Sequence, residues 1–180
     1  MNSKLTIGNK ALDFKFKTPW DGEVNFYDAV GNNPAVLIFM RYYGCPVCQM
    51  EMAKIKQEIN SAGKKGARVF VILQSETEII ASLIKKDDFP FTIICDSQGK
   101  IFQLYGVEAG GLVKYLHPAG LIAAIKAISK GFMHGKFEGK ETQLPAAFAM
   151  AADKVINYAH YGTNISDMPS LDKIVIGIKK

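Results

Sequence analysis

Two cysteines, Cys45 and Cys48, stand three residues apart in a Cys-Pro-Val-Cys stretch. An apolar run at residues 35–40 precedes them, and a helix-like pattern at 49–59 follows. Where a buried strand gives way to a helix, the first helical turn leaves backbone N–H groups unpaired and its dipole favours negative charge. A cysteine there ionises more readily, and the thiolate is the reactive form. The pair therefore predicts a redox site, in which the second cysteine closes a disulfide after the first is oxidised.

Arg41 lies four residues before Cys45, just after the apolar run. A cation beside a cysteine favours the thiolate, so Arg41 could stabilise that thiolate or a bound peroxide oxygen. It could equally lay its aliphatic stem along the strand end and place its charge in solvent. The position alone leaves both interpretations open.

The main alternative for the cysteine pair is half of a structural zinc site. Zinc normally takes four ligands, and the sequence offers neither a second close cysteine pair nor a close histidine pair. His117, His134 and His160 are far apart along the chain, so we expect no metal. Cys95 lies in an apolar, strand-like pattern and is expected to be a small buried hydrophobe.

The bulk composition fits one globular domain over residues 1–180. Hydrophobic residues make up 48% of the chain, and the net charge of +5 comes from lysines with acids among them. We expect no nucleic-acid partner because basic clusters are short, and no membrane partner because no apolar stretch approaches about 20 residues. The first residues lack the apolar core of a signal peptide, so we expect a cytoplasmic, reducing location.

Strand and helix patterns alternate through the first half of the chain, which indicates parallel pairing through right-handed crossovers. The expected strands are 11–17 and 24–27 in an N-terminal hairpin, 35–40, 67–73 and 89–95 in the sheet, and 145–150 and 154–160 in a later hairpin. The expected helices are one from residue 49 that Gly63 and Gly66 stop, then 77–86 and 100–105. The tail at 174–178 fits either a strand or the end of a closing helix.

Residues 108–140 have the least regular pattern. A helix is expected at 121–129, but six glycines surround it: Gly110, Gly111, Gly120, Gly131, Gly135 and Gly139. We interpret this region as an insertion packed against the domain.

Four stretches together resemble the peroxiredoxin-like branch of the thioredoxin superfamily, the alkyl hydroperoxide reductase/thiol-specific antioxidant family. They are residues 38–48, 91–96, 104–107 and 139–145. The resemblance covers roughly residues 8–175 and is poorest at 108–138. It implies an α/β thioredoxin-like fold with a central mixed sheet flanked by helices. It also implies a proline in cis that faces the active cysteines, and Pro145 is the candidate.

The resemblance allows two assignments of the cysteines. On the peroxiredoxin pattern, Cys48 falls on the attacking cysteine, Cys45 falls where a Thr or Ser belongs, and Arg41 replaces a proline. On the thioredoxin pattern, Cys45 is the exposed nucleophile and Cys48 the buried resolving thiol. We expect the second arrangement, because the first cysteine lies at the extreme helix N-terminus and should be the better exposed.

The resemblance implies a thiol oxidoreductase, with reduction of peroxides as the first expectation. A thiol–disulfide reductase and a redox-responsive binding module remain open as alternatives. An external dithiol such as a thioredoxin-type protein would be the reductant, no organic cofactor is implied, and a homodimer is left open.

Overall fold

The computed structural model describes residues 3–178 and contains a five-stranded mixed sheet. The strands of the sheet lie in the order β5-β4-β3-β6-β7. Their bounds are β3 Ala35–Met40, β4 Arg68–Leu73, β5 Thr92–Cys95, β6 Ala146–Met150 and β7 Ile156–Tyr161. The pairs β3–β4 and β4–β5 are parallel, whereas β3–β6 and β6–β7 are antiparallel. The sequence-based prediction of an α/β mixed sheet is confirmed.

Strand β3 occupies the middle of this sheet, and all six of its residues are buried. Val36, Ile38 and Met40 belong to one hydrophobic cluster, and Leu37 and Phe39 belong to a second cluster on the opposite face. Successive side chains on a strand point to opposite faces, so a strand covered on both sides must be apolar throughout. This strand fixes the position of the residues that follow it.

Helix α2, Pro46–Lys64, follows β3 and packs on the first of these clusters. It runs one residue past Gly63, which was expected to stop it, and ends at the cap residue Lys65. The stop is supplied by Gly66 at φ +64, a backbone conformation that glycine adopts without steric cost.

The N-terminal hairpin is present but shorter than expected. Its strands are β1, Lys15–Phe16, and β2, Val24–Asn25, paired antiparallel. Residues 26 and 27 do not extend β2 because Asn25 caps helix α1, Phe26–Val30. The Asn25 side chain accepts hydrogen bonds from the N–H groups of Tyr27 and Asp28, as an N-cap residue does.

The remaining helices frame the sheet and the insertion. They are α3 Thr77–Leu83, α4 Lys100–Leu104, α5 Leu112–Tyr115, α6 Pro118–Ser129 and α7 Leu171–Ile176. The tail that fitted either a strand or a helix is therefore helical through residue 176, capped by the Ser170 side chain. Both α6 and α7 pack against α2. Among the described residues, no helix combines the length and hydropathy that crossing a bilayer requires.

Candidate active site

Cys45 and Cys48 lie at the junction between strand β3 and the start of helix α2. Cys45 is the N-cap residue of α2, and its Sγ accepts a hydrogen bond from the Cys48 N–H at 3.3 Å. Pro46 occupies the first helical turn, where its missing N–H costs nothing. Neither thiol is bonded to another cysteine. The predicted placement of the pair at a strand-to-helix junction is confirmed.

Both sulfurs are buried, so the expectation that Cys45 is the better exposed is wrong. Cys45 is 0% exposed and Cys48 is 5% exposed. Residues 131–141, a segment that begins in the insertion and that we call the cover, pack against residues 41–48, which we call the cysteine loop. Gly135 of the cover donates its N–H to the Gly44 carbonyl at 2.8 Å. A Cβ placed on Gly44 would come within 2.4 Å of the Lys136 carbonyl oxygen, so the two backbones touch.

Arg41 faces inward, which excludes the interpretation that its charge reaches solvent. The residue is 6% exposed, and Nη2 donates to the Cys45 Sγ at 2.8 Å. Nη1 donates to the backbone carbonyl of Glu141 at 2.8 Å and lies 3.5 Å from its carboxylate. Within the described residues, the buried Nε finds no acceptor. Arg41 therefore joins the cysteine loop to the cover and keeps one donor unused.

These surroundings lower the pKa of one thiol and raise the pKa of the other. The pKa of Cys45 is lowered to about 6, chiefly by a hydrogen bond from the Cys48 thiol. The Arg41 charge and backbone N–H groups add to this effect, while burial opposes it. The pKa of Cys48 is raised, first by burial and then by the same hydrogen bond and the nearby Cys45 charge. Near pH 7 the proton shared by the pair therefore stays on Cys48.

Neighbouring negative groups also stabilise the positive charge of Arg41. Burial disfavours the guanidinium charge, but Cys48, Cys45 and Glu141 outweigh it, so the pKa of Arg41 lies above its ordinary value. The guanidinium also lies over the ring of Tyr115, 5.7 Å from the ring centre. Arg41 therefore carries its positive charge at neutral pH.

Tyr42 and Glu141 complete a polar network that the sequence did not reveal. Tyr42 is fully buried, and its hydroxyl donates to the Glu141 carboxylate. The same hydroxyl lies 3.1 Å from Nε2 of His134 in the cover. Burial and the Glu141 contact raise the pKa of Tyr42, so its phenol stays protonated as a donor.

A second carboxylate of the cover, Glu138, is held on the other side of the loop. Its oxygens accept from the Ser75 hydroxyl at 2.8 Å and from the Glu76 N–H at 3.0 Å. The Ser75 hydroxyl oxygen in turn accepts the Tyr43 N–H at 3.0 Å. No sequence signal pointed to Glu138 or Glu141, because each meets a loop that lies more than 60 residues away along the chain.

Pro145 lies just before β6, as expected, but its peptide bond is trans, since the described residues contain no cis bond. The expectation of a cis proline is therefore wrong. The Pro145 carbonyl accepts the Gly162 N–H at 2.8 Å, which continues the pairing of β6 with β7 beyond Ala146. An extended chain that is already paired in this way is compatible with the trans form, the default for proline.

Pro145 nevertheless reaches the cysteine site. It lines a small cavity together with Arg41 and Cys48. The space open to a solvent molecule there is about 10 Å³, which is room for about one water. The remaining lining residues are Met40, Val47, Glu51, Ile165 and Met168. The cavity thus brings three of the four sequence-predicted site residues to one small volume, with Cys45 directly behind Arg41.

Cys95 takes no part in this site. It ends β5, is partly buried, and has a pKa raised to about 12, mainly by burial. The described residues contain no group of three side chains placed to hold a metal ion. The three histidines lie apart, with His117 capping α6 through its own ring nitrogen.

Comparison with known proteins gives a family and a fold. The model of the AhpC/TSA family matches residues 7–159. No curated protein sequence matches the chain significantly. A peroxiredoxin-like protein from Aquifex aeolicus has a TM-score of 0.69 at 18% identity, and the match covers 97% of this chain and 86% of that one.

Two further solved structures share the fold. The yeast mitochondrial 1-Cys peroxiredoxin, whose thiol is resolved via glutathione/thioredoxin systems, has a TM-score of 0.59 at 21% identity, with 87% of this chain and 67% of that one covered. A candidate thiol:disulfide interchange protein, DsbE from Chlorobium tepidum, has a TM-score of 0.62 at 19% identity, with 96% and 97% covered. Identities this low establish the thioredoxin-like fold alone.

Proposed function

The chain belongs to the AhpC/TSA family and is a thiol oxidoreductase; on that premise we propose that it reduces peroxides through the Cys45 thiolate. The observation that carries this proposal is the contact of the Arg41 guanidinium with the Cys45 sulfur at 2.8 Å. A thiolate is the reactive form of cysteine, and a buried cation against the sulfur favours it. The lowered pKa of Cys45, about 6, supports its ionisation at neutral pH.

The reaction follows from the order of acidity within the pair. The Cys45 thiolate attacks one oxygen of a hydroperoxide, an S–O bond forms as the O–O bond breaks, and the leaving alkoxide takes up a proton. The sulfur is thereby oxidised by two electrons to a sulfenic acid, and the peroxide is reduced to an alcohol or to water. Cys48 then attacks the sulfenic sulfur, forms the Cys45–Cys48 disulfide and releases water.

Exposure and charge favour different sulfurs for the first step. Cys48 lines the small cavity and Cys45 does not, which alone would favour Cys48 as the attacking group. We give more weight to charge, because a thiol with a raised pKa is a poor nucleophile even where it is accessible. Limited alkylation of the reduced protein tests this choice, and preferential labelling of Cys48 would reverse the assignment.

The unused donor on Arg41 supports an oxygen-containing substrate. A buried N–H without an acceptor costs about 1–3 kcal/mol, and a peroxide oxygen bound beside it would supply the missing acceptor. A disulfide sulfur is a much weaker acceptor. The roughly 10 Å³ of free space also suits a small peroxide better than a protein disulfide.

The second candidate is a thiol–disulfide reductase, and the specific observation that favours it is the cysteine pair itself. A Cys-x-x-Cys pair at a helix N-terminus with a lowered first pKa is the arrangement that disulfide exchange requires. A redox-responsive binding module, with turnover of neither substrate, is the third reading. For all three, a thioredoxin-type dithiol in a reducing compartment such as the cytosol is the proposed reductant.

Two assays run side by side separate these functions. Peroxide consumption with a thioredoxin system is measured beside insulin reduction, for the wild-type chain and for Cys45→Ser, Cys48→Ser and Cys95→Ser. We expect peroxide turnover in the wild type and in Cys95→Ser, none in Cys45→Ser, and a single turnover that ends in a trappable sulfenic acid in Cys48→Ser. A wild-type peroxide rate no faster than that of a free thiol would overturn the peroxidase proposal, and insulin reduction alone would favour the second candidate.

A further inference from the structure

Helix α6 places its small side chains against the protein and its large aliphatic side chains in solvent. Gly120 and Ala127 are buried, and Ala123 and Ala124 pack against the core. A Cβ on Gly120 would come within 2.6 Å of Ile165, so this side of the helix admits no larger residue. The opposite side carries four residues that are each more than half exposed: Leu121, Ile122, Ile125 and Ile128. A helix on the surface of a domain normally has the reverse arrangement.

The apolar surface continues on both sides of α6. Val113 and Leu116, before the helix, are more than 60% exposed. Met133 and Phe137, in the cover, are exposed to the same degree. We call the eight exposed residues between 113 and 137 the apolar face: Val113, Leu116, Leu121, Ile122, Ile125, Ile128, Met133 and Phe137. So many exposed large apolar side chains in one short segment of a folded domain indicate an interaction surface.

Within residues 109–137, the segment that carries the apolar face, every charged side chain is a lysine. Residues 109–137 contain Lys114, Lys126, Lys130 and Lys136 and no aspartate or glutamate. This stretch therefore carries four of the five net positive charges of the whole chain. All four lysines are exposed; Lys126 lies in the last turn of α6 and Lys130 is the C-cap residue of that helix. The partner must combine apolar contact with negative charge.

We propose that the apolar face docks on an anionic lipid bilayer, with the aliphatic side chains inserted among the headgroups and the lysines against the phosphates. A second copy of the chain would bring lysine against lysine, which is unfavourable. A protein partner would require hydrogen-bonding groups spread through the contact, and apart from the lysines this face offers few. A bilayer requires only what is present, an apolar ridge flanked by cations.

Surface docking is independent of the peroxidase proposal and needs no membrane-spanning helix. The sequence predicted no membrane partner because no apolar stretch could span a bilayer, and that argument does not concern a helix lying in the interface. The apolar face also adjoins the active site. The centres of the Phe137 and His134 rings are 4.1 Å apart, and His134 contacts the Tyr42 hydroxyl. Docking would therefore place the bilayer against the cover.

Sedimentation with vesicles tests the proposal on the full-length protein. Vesicles of phosphatidylcholine alone are compared with vesicles containing about a third phosphatidylserine. We expect binding to the anionic vesicles that weakens with salt, and binding at least about tenfold weaker to the neutral ones. Ile122→Ser with Ile125→Ser should lower the anionic partition about tenfold, and so should Lys126→Glu with Lys130→Glu.

Matched controls keep each substitution type but move it off the apolar face. Leu83→Ser removes an exposed aliphatic residue of α3, and Lys10→Glu with Lys64→Glu makes the same change in net charge at exposed sites elsewhere. Both should bind vesicles as the wild type does, and unfolding midpoints establish that every variant is folded. No binding to anionic vesicles, or equal loss in the controls, would overturn the proposal. So would a dimer that the Ile122→Ser/Ile125→Ser variant dissociates, since a second copy would then cover the face.

Discussion

The cysteine loop, residues 41–48, and the cover, residues 131–141, are in contact with each other but are held in place by different means. The loop is fixed at both ends by regular elements, the buried strand β3 and the helix α2. The cover has no regular structure and is held by its carboxylates and its backbone: Glu138 on Ser75, Glu141 on Arg41 and Tyr42, and Gly135 on Gly44.

Because of this difference, two properties of Cys45, its pKa and its accessibility to reagents, depend on different parts of the molecule. The acidity of Cys45 is set largely within the loop and α2, by Cys48, Arg41 and the helix N–H groups. The cover packs on the loop from a distant part of the chain, and we expect it to limit the access of reagents to Cys45. The comparison predicts that substitutions in the loop change the pKa of Cys45, whereas substitutions at the contact with the cover change the rate at which reagents reach it.

The largest expected effect follows from Cys48→Ala, which removes the hydrogen bond that contributes most to the low pKa of Cys45. The alkylation rate of Cys45 should rise as pH increases through its pKa and level off above it. In the wild type that midpoint lies near pH 6, and in the variant it should move well above 7, lowering the rate at pH 7 about tenfold. Cys48→Ser, which keeps a hydroxyl donor, should stay close to the wild type, and an unshifted midpoint in Cys48→Ala would refute the assigned cause.

Arg41→Gln should have a smaller effect of the same sign, because the Arg41 charge contributes less to the pKa of Cys45 than the Cys48 hydrogen bond does. We expect the alkylation midpoint to rise and the rate at pH 7 to fall about fivefold. Arg41→Lys retains the charge and serves as the control. Arg41 also binds Glu141 in the cover, so the substitution could act on access instead. A change in the plateau rate at high pH with an unchanged midpoint would contradict the assignment of Arg41 to the pKa of Cys45.

Gly44→Ala should act on accessibility alone. The added methyl group would meet the Lys136 carbonyl at 2.4 Å, so the cover must shift away from the loop. We expect the plateau alkylation rate of Cys45 to rise about threefold, with little change in midpoint. Gly63→Ala, where nothing lies within 4 Å, is the matched control and should only stabilise α2 by about 0.5 kcal/mol. A slower plateau in Gly44→Ala would show that the cover does not limit access.

The parts of the molecule that follow from local pattern were predictable. The continuous apolar run of β3, the cysteines after it and the parallel order of the next strands each depend on neighbouring residues or on crossover handedness. The family resemblance added the fold and the type of chemistry. One domain over the whole chain and the catalytic roles of the site residues stay predictions.

The features that the sequence failed to predict depend on contacts between distant segments of the chain. Arg41 and Glu141 are 100 residues apart in the sequence, and no local pattern predicts their contact. The hydrogen bond between Gly135 and Gly44 likewise joins segments that are far apart in the sequence. Helix α6 is apolar on nearly every side, so its sequence could not indicate that the small residues face inward. That choice is made by the close approach of Ile165 to Gly120.

The three cysteines have a practical consequence for anyone who wants to attach a probe to this protein. Cys45 has a pKa of about 6, Cys95 one of about 12, and that of Cys48 is raised as well. At neutral pH the unmodified chain therefore presents one ionised sulfur out of three. A fluorophore or spin label directed at thiolates would therefore select Cys45 with no cysteine removed, at a rate limited by its access past the cover.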